Sequence, residues 1–190
     1  MDAHRKDDPV TRELRRFELA RRLLLHQVRT QTIGELTGLS RSRVATLRRR
    51  LMVPLDARHR GPPPSSLELF LRTFRGRTEG AALAALFSLF EAPTAVKPFT
   101  SLDEGEQLCE IYEAYLAYYP QSNVQFEELM LLKKSLAKQD LIEIGLCRVC
   151  GGLIMNNRDD LSRCTCWHCD VHNEHDRIVD VTNQRTESLD

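Results

Sequence analysis

No apolar run in the chain approaches the roughly 18 residues of a membrane span, so no transmembrane helix and no membrane partner are expected. The first ten residues, Met1 to Val10, are charged rather than apolar, so no secretory signal is read there and a cytoplasmic, reducing compartment is expected. There is no internal repeat and no long low-complexity segment. Glycine-rich phosphate loops, nucleophile elbows and the helical metalloprotease signature are also missing. That leaves no catalytic constellation, and an enzyme is not expected.

Net charge is missing too, but only as a sum. Residues 1–77 carry 18 Lys and Arg against 8 Asp and Glu, while residues 78–190 carry 9 against 19. A basic half joined to an acidic half points to an anionic partner for the first and a separate partner for the second. Nucleic acid is the leading anion, because phosphate neutralisation supplies most non-specific affinity; a membrane surface is the weaker reading. Arginine far outnumbers lysine in the basic half, which favours planar, bidentate contacts to phosphate or guanine.

Within that half the pattern is helical from Pro9 to His26, with Leu14, Phe17, Leu24 and Leu25 at helical spacing and arginines on the other face. Residues 31–51 then read as a helix-turn-helix. Gly38 ends the first helix, Ser40 caps the second, and Gly34 is small where two helices cross. Ile33, Leu36, Leu39, Val44 and Leu47 form the apolar set that locks the pair. Such a unit lays its second helix in the major groove, so Arg41, Ser42, Arg43, Thr46 and Ala45 would reach base edges while Arg49 and Arg50 grip phosphate. The plainer alternative is a helical hairpin with a solvated charged face.

Pro62-Pro63-Pro64 after Gly61 is a stiff connector. Residues 65–92 form a helical, apolar stretch that is core or partner-facing. Residues 101–118 and 124–138 read as two antiparallel helices joined across Tyr118-Tyr119-Pro120-Gln121. The tyrosines at 112, 115, 118 and 119 fit packing better than base stacking, and Cys109 fits core. Leu141 to Leu146 reads as a short strand.

Cys147-Arg148-Val149-Cys150 and Cys166-Trp167-His168-Cys169 are two Cys-x-x-Cys pairs fifteen residues apart, a spacing that fits a four-thiolate zinc site. Four protein ligands leave no open position for water, so one structural zinc per chain is expected. A reducing compartment argues against disulfides, and the short polar flanks argue against a thioredoxin-like dithiol. Iron could occupy four thiolates, but zinc is the commoner occupant of a structural ribbon. Cys164, His168, His172 and His175 stand in reserve as substitute ligands. The expected fold is therefore mainly α: residues 1–145 as a helical DNA-binding and assembly domain, 146–175 as a small zinc-ribbon-like module, and 176–190 as a flexible acidic tail.

Three features in order, Leu39-Ser40-Arg41-Ser42-Arg43 opening a helix, the Gly61-Pro62-Pro63-Pro64 connector, and Cys147-x-x-Cys150-Gly151-Gly152 followed by Cys166-x-x-Cys169, resemble the FlhC family, the flagellar master transcriptional activator subunits. The helical pair around Tyr112-x-x-Tyr115 and Pro120 also falls where that family has one, and the match spans roughly residues 10–170. The resemblance implies zinc on Cys147, Cys150, Cys166 and Cys169. It implies assembly with FlhD into a heterohexamer that binds and bends promoter DNA and recruits RNA polymerase to flagellar class II genes. Two features depart from the family: the extra thiol of Cys164, and an acidic, histidine-bearing tail (Asp170, Glu174, Asp176, Asp180) that suits a protein partner better than DNA. A zinc-ribbon interaction adaptor without specific DNA recognition is the competing reading.

Overall fold

In the computed structural model, which describes residues 8–53, 61–90, 100–138, 142–158, 164–166 and 168–172, the helix ends follow from local side-chain chemistry. Helix α1 (Pro9–Leu25) starts where the Asp8 carboxylate accepts the Thr11 N–H and Pro9 fills a position that needs no donor. Helix α2 (Thr30–Thr37) stops at Gly38, whose φ of 70° is the left-handed conformation a side chain resists, and whose N–H bonds the Gly34 carbonyl at 2.8 Å. Ser40 then accepts the Arg43 N–H and opens α3 (Arg41–Arg50). Ile33, Leu36, Leu39 and Val44 are buried between these helices, and Leu47 is half-buried.

The start of α2 has an unusual cap. Arg29 at the cap position offers no acceptor of its own, and the Glu127 carboxylate, 98 residues away, takes the Arg29 N–H at 2.8 Å and the Thr32 hydroxyl at 3.4 Å. The Arg29 guanidinium lies 3.1 Å from the other Glu127 oxygen but off the hydrogen-bonding angle, so that contact is coulombic.

Helix α6 (Ser101–Tyr118) opens on a reciprocal capping box between Thr100 and Asp103. It receives both α1 and α2 at close range: a Cβ at Gly105 would lie 2.7 Å from Leu19 Cδ2 and 3.1 Å from Leu36 Cβ. Cys109 is fully buried, as expected, and the hydroxyls of buried Tyr112 and Tyr115 tie down the loop after α6 through the Val124 carbonyl and Ser122 Oγ, both at 2.7 Å. Two of the tyrosines are therefore packing residues, while Tyr118 is exposed.

The apolar stripe of α1 is the expected one only in part, with Leu24 buried and Phe17 half-buried. Leu19, Ala20, Leu23 and Leu24 are buried, whereas Leu14 and Leu25 are 66% and 55% exposed. The stripe is displaced because the face of α1 that meets α6 is edged with arginines. Arg15 bonds Asp103 at 2.6 Å and Glu106 at 2.9 Å, and Arg22 bonds both Glu113 oxygens at 3.0 and 2.8 Å.

The Arg22 guanidinium draws the Glu113 carboxyl down to about 2 against the upward push of partial burial, and His26 Nε2 at 3.1 Å adds to the effect. A folded pKa below the unfolded one means that the pair's stabilisation is complete above the ordinary glutamate range and is lost as pH falls through about 2. Glu113 is 40% exposed, so solvent screening limits the contribution to roughly 1 kcal/mol. Glu113→Gln is expected to lower the melting midpoint by about 2–4 °C near neutrality, the difference narrowing between about pH 4 and pH 2 in a series of thermal melts.

Two compact units interleave along the chain, one built from described residues within 1–65 and 87–130, the other from those within 66–86 and 131–190. The sequence reading instead divides the chain in order after residue 145. In the second unit the single helix expected over 65–92 is broken at Thr73, whose backbone is extended and whose hydroxyl takes the Gly76 N–H at 3.0 Å. This separates α4 (Glu68–Arg72) from α5 (Phe74–Phe90). Helix α7 (Phe126–Lys138) leads to an antiparallel hairpin of β1 (Ile142–Leu146) and β2 (Leu153–Asn157), in which Ile144 faces Met155. Strand β2 is pinned from outside the sheet. Buried Arg77 reaches Asn156 Oδ1 at 3.3 Å and the Leu71 carbonyl at 3.1 Å, and Met155 lies against Gly80, where a Cβ would come within 2.6 Å of its methyl.

The described residues are thus mainly helical with one small sheet. Among the described residues no helix is long and apolar enough to cross a membrane. The tail expected over 176–190 and the reserve ligand His175 lie outside the described residues.

Candidate functional site

The hairpin of the second unit carries the first cysteine pair in its turn. Cys147 follows β1 directly, the Cys147 N–H bonds the Gly152 carbonyl at 2.7 Å, and Gly151 at φ 72° turns the chain back into β2. The second pair reaches the same point through a helical turn over 168–172, and the Cys166 N–H donates to Cys147 Sγ at 3.3 Å.

The sulfurs of Cys147, Cys150, Cys166 and Cys169 all lie within 4.8 Å of one another, and no disulfide links any of the six cysteines. A metal with bonds of about 2.3 Å to four sulfurs in a tetrahedron sets them roughly 3.8 Å apart. Cys150 and Cys166 Sγ are 3.6 Å apart, so the residues fit a metal such as zinc. Cys147, Cys166 and Cys169 are buried with Ile154, and Cys150 is exposed. Cys164 is outside the group; its carbonyl takes the Arg148 N–H at 2.9 Å, tying the two knuckles together through backbone. His168 and His172 are exposed and also outside it.

Backbone donors favour one thiolate of the group. Burial pushes the Cys147 thiol up, but N–H groups of Cys150, Cys166 and Val149 outweigh it and bring Cys147 down to about 6. Burial raises Cys166, and burial with the neighbouring thiols lifts Cys169 to about 12. Among these three adjacent sulfurs Cys147 ionises readily, while Cys166 and Cys169 resist.

A second grouping, His26, Cys109 and Glu113, also lies within 4.8 Å. It is a hydrogen-bonded node rather than a metal site. Glu113 is taken by both Arg22 donors, and burial lifts the Cys109 thiol to about 12, so it stays neutral.

In the first unit the residues named on α3 divide by face. Val44 and Arg48 are buried, and Arg41, Ser42, Arg43, Ala45, Thr46, Arg49 and Arg50 are exposed. Ser42, Thr46 and Arg49 follow one another on the outward side, with Arg49 bonding the Thr46 hydroxyl at 3.3 Å. Arg43 does not point outward with them. Its guanidinium lies 4.8 Å over the Phe17 ring and is paired with Glu13, both on α1. Sequence reasoning missed Glu13 and Phe17 because they lie some 30 positions from Arg43, and no local pattern joins them. The scan against protein-family models finds no match for this chain, and neither does the search of curated proteins.

Proposed function

We propose that this chain is a sequence-specific DNA-binding transcriptional activator subunit of the FlhC type, with α2 and α3 acting as a helix-turn-helix. In this reading α3 enters the major groove of promoter DNA, Arg41, Ser42 and Thr46 meet base edges, and Arg49 and Arg50 hold phosphates. The observation that supports it most is the exposed surface of α3, where Arg41, Arg49 and Arg50 and the hydroxyls of Ser42 and Thr46 stand on a helix whose other side is locked by Val44 and Arg48. Zinc, one ion per chain, is the metal proposed for Cys147, Cys150, Cys166 and Cys169; bound there it supplies folding free energy and leaves no site for reactive water. An FlhD-like subunit in a heterohexamer, RNA polymerase and flagellar class II promoters complete the proposal, carried by the resemblance of motif order.

The test is selection of bound duplexes from a random pool by the zinc-loaded chain co-expressed with an FlhD-like partner. A recurring sequence is expected. Arg41→Ala should then weaken the selected duplex by roughly tenfold, within the 1–3 kcal/mol range of an arginine–guanine contact, and weaken a scrambled duplex far less. Equal losses on both duplexes would remove Arg41 from base reading, and a pool without enrichment would remove the DNA reading. The second reading, an interaction adaptor, draws on exposed Leu146, Val149, Leu153 and Val171 around the cysteine knuckles, and predicts no enrichment.

A further inference from the structure

On the α1 side of α3 a cavity of about 250 Å³ opens between Phe17, Ser42, Arg43, Thr46, Leu47 and Arg50. Its floor is an aromatic ring and a leucine, and its rim carries two guanidinium groups and two hydroxyls. All four groups can donate to an oxyanion. One anion already answers it from within the chain: the Glu13 carboxylate pairs with Arg43, and its other oxygen lies 3.6 Å from Arg16.

We propose that this cavity takes one backbone phosphate of DNA, and that Glu13 is a resident stand-in whose carboxylate the phosphate oxygen replaces on Arg43. This deepens the DNA-binding reading and rests on it. Three observations make the exchange practicable. The Arg43–Glu13 pair is solvent-accessible, with side chains 50% and 34% exposed, and such pairs contribute little, so opening it costs little. Stacking on Phe17 holds the guanidinium in place whichever anion it carries, so its orientation is set before DNA arrives. A guanidinium can grip phosphate through two donors at once, and Arg50 adds a second positive charge at the rim.

The contact reads no base, so the test uses a random-sequence duplex and the full zinc-loaded chain. Binding is measured against salt for wild type, Glu13→Gln, Arg43→Ala and the double variant. Glu18→Gln serves as control, because it removes a like charge from an exposed ion pair on the same helix. The salt slope of Arg43→Ala is expected to be shallower than wild type by about 0.9, the signature of one lost phosphate contact. Glu13→Gln should bind more tightly than both wild type and Glu18→Gln, and its gain should vanish when Arg43 is also removed. Independent effects combine to within about twofold, so a Glu13→Gln gain that persists undiminished in the double variant would be general charge relief and would overturn the exchange. An unchanged Arg43→Ala slope with duplex binding intact would overturn the phosphate site alone. Failure of wild type to bind any duplex would instead bring down the DNA-binding reading, and this inference with it.

Discussion

Cys166→Ser is expected to abolish metal retention and melt the cysteine knuckles, with metal content falling from one equivalent per chain to none. Structural zinc supplies folding free energy on the order of 10 kcal/mol in small domains, and two five-residue strands are marginal without support. The loss should be graded along the hairpin. The Leu146–Leu153 end adjoins the cysteines, whereas the Ile142–Asn157 end is pinned by Arg77 on Asn156 and by Met155 over Gly80. Amide exchange should therefore rise steeply at Leu153 and modestly at Asn157. Cys164→Ser is the matched control and should keep its metal, because that sulfur is not in the cluster. Retained metal with unchanged melting in Cys166→Ser would refute the four-thiolate centre.

The second large effect is at Glu127→Ala, on α7. Glu127 is 5% exposed, and removing one partner of a buried pair costs about 3–5 kcal/mol because the other charge is left without compensation. Here the cap N–H of Arg29 and the Thr32 hydroxyl lose their acceptor as well. For a chain of this size the melting midpoint should fall by roughly 6–20 °C. Glu127→Gln keeps an acceptor but not the charge, and should fall between. The proposed DNA binding should weaken with stability even though Glu127 is on α7, because α2 carries the turn that leads into α3. A midpoint within about 2 °C of wild type would show that α2 does not depend on this cap.

These two cases mark what could be read from the sequence. The end of α2 and the start of α3 were legible because Gly38 and Ser40 act on backbone atoms three or four residues away. The cysteine cluster was legible because ligand chemistry tolerates few residue types and few spacings. The mainly helical character followed from periodicity. What escaped was non-local. The Glu127 cap spans 98 positions, the Arg43–Glu13 pair 30, and neither leaves a trace in a window of sequence. Periodicity also misplaced the buried stripe of α1, because Arg15 and Arg22 satisfy their charges on α6 and so can border a core. Strand β2 was missed because Leu153–Asn157 alternates poorly: Ile154, Met155 and Asn156 are all buried, the last by its bond to Arg77. The break at Thr73 was missed because neither Gly nor Pro stands at that position.

The Glu127 cap also sets a timetable. A ribosome adding roughly 5–20 residues per second needs about 5–20 s to pass from Arg29 to Glu127. Through that interval the arginine-bearing helices have emerged while the carboxylate that seats α2 has not yet been made. The nascent chain is at its most cationic within that interval, once residue 77 has been added, and it is exposed to premature capture by polyanions until α7 arrives to supply the cap.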